Sequence, residues 1–152
     1  MLNYKDEEDE QKTTLHKASR MGNLKTVQAF ILLGAEIEAN DKEGNTPLQH
    51  AAHNGKTDVV KHLIEMEAQI EAKNDSDQTP LHFASNIDIA RCLVEKGANI
   101  EHKDLAYWTP LHHACNNRKP DVVKYLIEMG VRIEEKEDLR SWCDAFTSCS
   151  KC

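Results

Sequence analysis

With 152 residues, 39% of them hydrophobic and only 5% aromatic, the chain has room for one modest domain or a short run of stacked units. A formal net charge of −7 and a pI near 5.6 exclude the basic face that gripping phosphates requires, and favour a basic protein over a nucleic acid as partner. No apolar run reaches membrane-spanning length, and the opening MLNYKDEEDEQK is acidic where a secretory signal is basic and then apolar, so neither a membrane segment nor export is expected.

Taken in chain order, residues 1–10 form an acidic leader, whose stretch from Lys5 to Glu10 is expected to fray or cover little, and from residue 11 the chain repeats itself. Thr13-Thr14-Leu15-His16, Thr46-Pro47-Leu48-Gln49, Thr79-Pro80-Leu81-His82 and Thr109-Pro110-Leu111-His112 follow at spacings of 33, 33 and 30 residues. The threonine suits a helix N-cap, where its oxygen accepts an otherwise orphaned amide. The proline suits the first helical position, where no N–H is needed. Small residues such as Ala51-Ala52 come next and let a second helix approach closely. An apolar helical stripe then follows, as in Val59, Val60, Leu63 and Ile64, or Val122, Val123, Leu126 and Ile127. Gly34, Gly97 and Gly130 stand where a helix ends in a left-handed residue. A turn with an Ile-Glu pair closes each unit: Ile37-Glu38, Ile70-Glu71, Ile100-Glu101 and Ile133-Glu134. One helix pair cannot bury its own apolar face, so the units must stack.

The segment TPLQHAAHNGKTDVVKHLI and its sisters resemble ankyrin repeats, whose 33-residue period and T-P-L-H-x-A signature they share. The resemblance covers residues 11–137, with repeats at about 11–40, 41–73, 74–103 and 104–137. It implies an all-α solenoid of stacked helix-turn-helix units, with β-hairpin-like loops projecting as fingers. A short capping segment at 138–152 would complete it. It further implies a non-catalytic module, monomeric and free of cofactor and metal, that binds a partner protein through its fingertips and the concave face of its first helices. Carried over position by position, the fingertip candidates are Lys42, Glu43 and Asn45, then Asp75, Ser76 and Gln78, then Leu105, Ala106, Tyr107 and Trp108. His53, Asn54, Asn116 and Asn117 are candidates at the ends of first helices. His50, Phe83 and His113 follow the T-P-L-H slot and would line the concave face, although Phe83 serves equally as packing between repeats. The slot histidines His16, His82 and His112 are implied to make structural hydrogen bonds near the repeat interfaces.

Four departures from the family pattern stand out. The third unit, TPLHFASNIDIARCLV, lacks three residues between its helices, which should shorten its first helix or tighten its turn. Glu67 replaces the helix-ending glycine, at a cost of about 1 kcal/mol, so local stability should be weakest around repeats two and three. Glu38, Glu71, Glu101 and Glu134 form a row that is either a solvated face or an acidic stripe for a basic partner. Tyr107-Trp108 stands where the neighbouring units have Gly44-Asn45 and Asp77-Gln78, as an interface contact or as packing on a neighbouring finger.

Nothing in the pattern suggests catalysis. His50 and His53 share a helix face and His112-His113 are adjacent, but neither pair completes a zinc pattern. Cys143, Cys149 and Cys152 lack an evident fourth ligand. Five cysteines, with Cys92 and Cys115 alone in amphipathic segments, make no disulfide framework and point to a reducing, intracellular compartment, cytoplasmic or nuclear. Beyond the last repeat, Leu139, Trp142, Cys143 and Phe146 follow the spacing of an amphipathic capping helix. A competing reading makes Asp138-Leu139-Arg140-Ser141-Trp142 the start of a fifth finger, because it echoes Asp104-Leu105-Ala106-Tyr107-Trp108. The function expected is therefore a binding module; the alternative is a regulatory or structural spacer, or an inhibitory segment, of a larger protein.

Overall fold

Each repeated threonine starts a helix in the way its chemistry suggests. In the computed structural model, which describes residues 3–6 and 11–130, Thr13, Thr46, Thr79 and Thr109 are all extended N-caps. Each makes a capping box with the residue three positions on: His16, Gln49, His82 and His112. Pro47, Pro80 and Pro110 occupy the first turn, where the missing N–H costs nothing.

These caps launch α1 (Thr14–Met21), α3 (Pro47–His53), a 3-10 turn (Pro80–Phe83) and α6 (Pro110–Asn116). Each is followed by a second helix: α2 (Leu24–Leu32), α4 (Thr57–Glu65), α5 (Ile87–Glu95) and α7 (Pro120–Glu128). The first segments pack in sequence as one layer, α1 on α3, α3 on the 3-10 turn, and that turn on α6. The second helices form the other layer, α2 on α4, α4 on α5 and α5 on α7. Leu15, Leu48, Leu81 and Leu111 run through the inner layer, each essentially inaccessible to water. Ala18, Ala51, Ala84 and Ala114 leave room for the second helices, which insert Val27, Val59, Leu63, Ile89, Leu93, Val122 and Leu126. No unit has a core of its own; the core is one ribbon shared by all four.

The three residues missing from repeat three have the expected effect. Its first segment closes as a single 3-10 turn and Ala84, Ser85 and Asn86 lead directly into α5. Ser85 Oγ donates to the Ala52 carbonyl of repeat two at 2.8 Å, and Asn86 caps α5 through the Ile89 amide. The fingers are five-residue turns closed by two backbone hydrogen bonds each, and no strand is present among the described residues.

Two members of the glutamate row also bond to the following repeat. Glu38 Oε1 accepts the Gln69 amide at 2.9 Å and Glu71 Oε1 accepts the Asn99 amide at 3.0 Å, so each ties its repeat to the next. Of the leader, residues 3–6 are described, and both ends of that stretch are tied down. Asn3 Oδ1 takes the equivalent amide in repeat one, that of Glu36, at 2.8 Å, and Asp6 pairs with Lys17 at 2.8 Å while its amide donates to the Lys12 carbonyl at 3.1 Å. The readings made for Glu134, for Leu139, Trp142, Cys143 and Phe146, and for Cys149 and Cys152 lie outside the described residues.

Glu67 adopts φ 64° at the end of α4, the left-handed conformation that Gly34 and Gly97 adopt at φ 88° and 97° after α2 and α5. A side chain there crowds its own carbonyl. Glu67→Gly is therefore expected to raise unfolding free energy by about 1 kcal/mol, measured as a shift of the urea midpoint at unchanged slope.

Candidate partner-binding surface

The fingers are built around one residue each. In finger two, Asp41–Asn45, the Asp41 amide donates to the Asn45 carbonyl at 3.0 Å, and Asp41 Oδ1 accepts the amides of Glu43 and Asn45 at 3.0 and 2.9 Å. In finger three Asn74 does the same for Ser76 and Gln78, and in finger four Asp104 does it for Ala106 and Trp108. The first side chain thus folds the loop onto itself, satisfying amides that a short turn would otherwise leave bare. Neighbouring fingers are then joined through their backbones, Asp75 N–H to the Glu43 carbonyl and Leu105 N–H to the Ser76 carbonyl, both at 3.0 Å. Between fingers two and three the approach leaves no room for a Cβ on Gly44, at φ 76°, which would sit 2.8 Å from the Asp75 amide nitrogen; Asp77 holds the same position in finger three.

The second oxygen of each aspartate fixes its finger to the helix behind. Asp41 Oδ2 lies 2.7 Å from His50 Nε2, and Asp104 Oδ2 lies 2.7 Å from His113 Nε2 and 3.1 Å from Gln78 Nε2. Burial alone would push the Asp104 carboxyl up. The bonds from His113, the Trp108 amide, Gln78 and the Ala106 amide outweigh it and hold the pKa at about 2. The Asp41 carboxyl is lowered in the same way: the His50 bond and the Asn45 and Glu43 amides prevail over burial. Finger three keeps the pattern without the charge, with Asn74 in place of aspartate and Phe83 in place of histidine. Asn74 Nδ2 donates instead to Asn45 Oδ1 at 2.9 Å and Gln78 Oε1 at 3.2 Å. A polar chain consequently runs beneath three fingers, from Glu43 through Asn45, Asn74, Gln78 and Asp104 to His113.

The candidate residues separate into framework and surface. Asn45 is only 7% exposed and belongs to the polar chain, as do the half-buried Gln78 and His113. Phe83 is half-buried, packs against the core and meets the His53 ring edge-on at 6.0 Å. Trp108 is half-buried too: its ring lies nearly parallel to that of His112 at 6.3 Å and edge-on to His113 at 5.3 Å, so side chains of its own repeat flank it. Lys42, Glu43, His53, Asn54, Asp75, Ser76, Leu105, Ala106, Tyr107, Asn116 and Asn117 are exposed. Tyr107 and Leu105 stand out at 78% and 70% exposure, and Tyr107 holds φ 62° at the position of Gly44. The finger hubs Asp41, Asn74 and Asp104 escaped the sequence reading. Their signal was present, a polar residue at the same place in each unit, nine residues before His50, Phe83 and His113.

The family model for ankyrin repeats, three copies in length, matches residues 15–104 and again 73–137. The chain belongs to the ankyrin-repeat family. No curated protein matches it. Ankyrin repeats are generally protein–protein interaction modules and generally non-catalytic. In this ankyrin array, no helix among the described residues is long and apolar enough to cross a membrane. The Asp–His pairs accordingly read as struts of the fingers: in each, both carboxylate oxygens are engaged in holding a loop to its helix.

Replacing Asp104 tests that role. Asp104→Ala leaves two finger amides, His113 and Gln78 without their shared acceptor, and is expected to destabilise the array by about 2–4 kcal/mol. Asp104→Asn keeps an oxygen for the two amides, as Asn74 does naturally, and should lose less than half as much in the same urea titration.

Proposed function

We propose that this ankyrin array is a non-catalytic module that captures a partner protein through its fingertips and concave face, anchored by Tyr107 with Leu105 beside it. The observation that carries the reading is that Tyr107 combines two costs. It holds a bulky side chain in the left-handed region, where Gly44 serves the same turn in finger two without strain, and it leaves that side chain 78% exposed. A tyrosine in such a conformation costs about 1–2 kcal/mol and gains little packing in return. Residues that violate local preference without structural compensation are concentrated where a protein works, and tyrosine is among the commonest interface anchors.

The neighbouring exposed groups suit a supporting role. Ser76 and Asp75 lie on the adjoining finger, and Lys42 and Glu43 on the next. The ends of α3 and α6 offer His53, Asn54, Asn116 and Asn117, amide and imidazole groups suited to main-chain contacts. Asn45, Gln78, Phe83, Trp108 and His113 act behind them by holding shape. The net charge of −7 favours a partner whose approaching surface is basic.

Tyr107→Gly separates binding from folding, which Trp108→Ala does not, because Trp108 lies against His112 and His113. The glycine variant is expected to be more stable by about 1 kcal/mol and to bind the captured partner at least about tenfold more weakly by calorimetry. Undiminished binding by Tyr107→Gly would remove Tyr107 as the anchor. A wild-type array that retains no partner on affinity capture would favour the spacer reading instead.

A further inference from the structure

The three joints between repeats use the same slot with different chemistry. At the first joint His16 Nε2 donates to the Asn45 carbonyl at 2.9 Å, and at the third His82 Nε2 donates to the Trp108 carbonyl at 3.2 Å. At the middle joint Gln49 Nε2 donates to the carbonyls of Ala72 and Gln78 at 3.1 and 2.8 Å. Behind each donor the same side chain accepts the buried amide of its capping threonine. His16 Nδ1 takes Thr13 N–H and His82 Nδ1 takes Thr79 N–H, both at 3.1 Å, and Gln49 Oε1 takes Thr46 N–H at 2.7 Å. Both histidines are thereby fixed as the tautomer with its single proton on Nε2.

A second proton on either ring has only Nδ1 to occupy. There it faces the threonine amide, donor against donor. The threonine hydroxyls, 2.8 Å from Nδ1 in His16 and 3.0 Å in His82, can accept from the new N–H but cannot replace the acceptor that the amide loses. Thr13 and Thr79 are buried, so that amide has no water to turn to. Gln49 accepts its threonine amide on the oxygen, donates to two carbonyls through the NH₂ group and has nothing to titrate.

The surroundings do not rescue a charged ring. Across the first joint His16 faces the edge of His50, 5.4 Å between centroids, and Asp41, whose Oδ2 is already bonded to His50. Across the third, His82 faces His102 at 5.7 Å and His113 at 5.3 Å, together with Asp104, which His113 and Gln78 occupy. His102 is engaged by Asp77 at 3.2 Å, and Asp77 also pairs with Lys73.

We propose that mild acid opens this array at its first and third joints, while the middle joint, bolted by a glutamine, stays closed. The proton affinities agree in sign. Burial holds His16 and His82 down to about 4 against an ordinary 6.5, with neighbouring histidines contributing and Asp41 and Asp104 only partly opposing. An opened joint therefore takes up a proton that the closed joint refuses. The closed form has its full stability above pH 6.5 and loses it as the pH falls towards 4. At pH 5 the opened form of each histidine joint should be favoured about thirtyfold relative to pH 7.5. Asp41 and Asp104, with their lowered pKa values, stay ionised throughout that range and do not confuse the reading. Repeats one and four thus carry an acid release that the central pair lacks.

Amide hydrogen exchange on the full chain at pH 7.5 and 5.0, corrected for intrinsic rates, reads this directly. Protection in α1–α2 and α6–α7 is expected to fall about thirtyfold relative to α3–α5. His16→Gln should restore acid protection at the first joint only, and His82→Gln at the third only. Gln49→His, folded and protected at pH 7.5, should become acid-sensitive at the middle joint. A uniform loss across all repeats, or glutamine variants that lose protection as the wild type does, would overturn the proposal. An acid-insensitive Gln49→His array would overturn it equally.

Discussion

One hydrogen bond recurs along this chain: the side chain three residues after each of the first three capping threonines reaches across to a backbone carbonyl of the next repeat. His16 reaches Asn45, Gln49 reaches Ala72 and Gln78, and His82 reaches Trp108. The rest depends on it because that side chain performs two tasks at once. Facing backwards, it completes the cap that starts its own helix; facing forwards, it fixes where the following finger must lie. Local helix initiation and the register of the stack are therefore a single event in each repeat, which is how units without a private core come to share one.

Once the stack is set, the fingers can tolerate unusual chemistry. Asp41, Asn74 and Asp104 fold their loops from within, and fingers three and four each lean on the one before through a backbone bond. A finger held from both sides does not need a glycine at its tip. Asp77 and Tyr107 hold left-handed conformations that only Gly44 adopts without strain. At finger four this freedom is used to present an aromatic side chain to solvent. The same over-determined framework explains why repeat three survives the loss of three residues: Ser85 and Asn86 replace the missing loop with bonds to repeat two and to α5.

Much of this was legible in the sequence because it arises from short-range rules. Threonine caps, prolines at first helical positions, the left-handed residue at Glu67 and the shortened third unit all follow from neighbours within one turn of helix, and the structure has them. What the sequence concealed lies between repeats. Glu38 and Glu71 look like a repelling row along the chain, but each reaches an amide of the following unit. Asn45 sits at a fingertip by alignment and is buried by its neighbour Asn74. Trp108 and Tyr107 are adjacent in sequence, yet the pleat of a five-residue turn sends one against His112 and His113 and the other into water. No periodicity distinguishes the two; only the backbone of the finger does.

The central claim is that the slot side chain couples one repeat to the next, and Gln49 is where it is most exposed to test. Gln49→Met keeps length and volume while leaving unpartnered the Thr46 amide, the Ala72 carbonyl that leads into finger three and the Gln78 carbonyl of repeat three. Urea unfolding followed separately by fluorescence and by circular dichroism is the direct measurement. A loss of about 3 kcal/mol, with the two signals no longer coincident as the halves unfold apart, is the result this account predicts. A single coincident transition within about 0.5 kcal/mol of the wild type would contradict it.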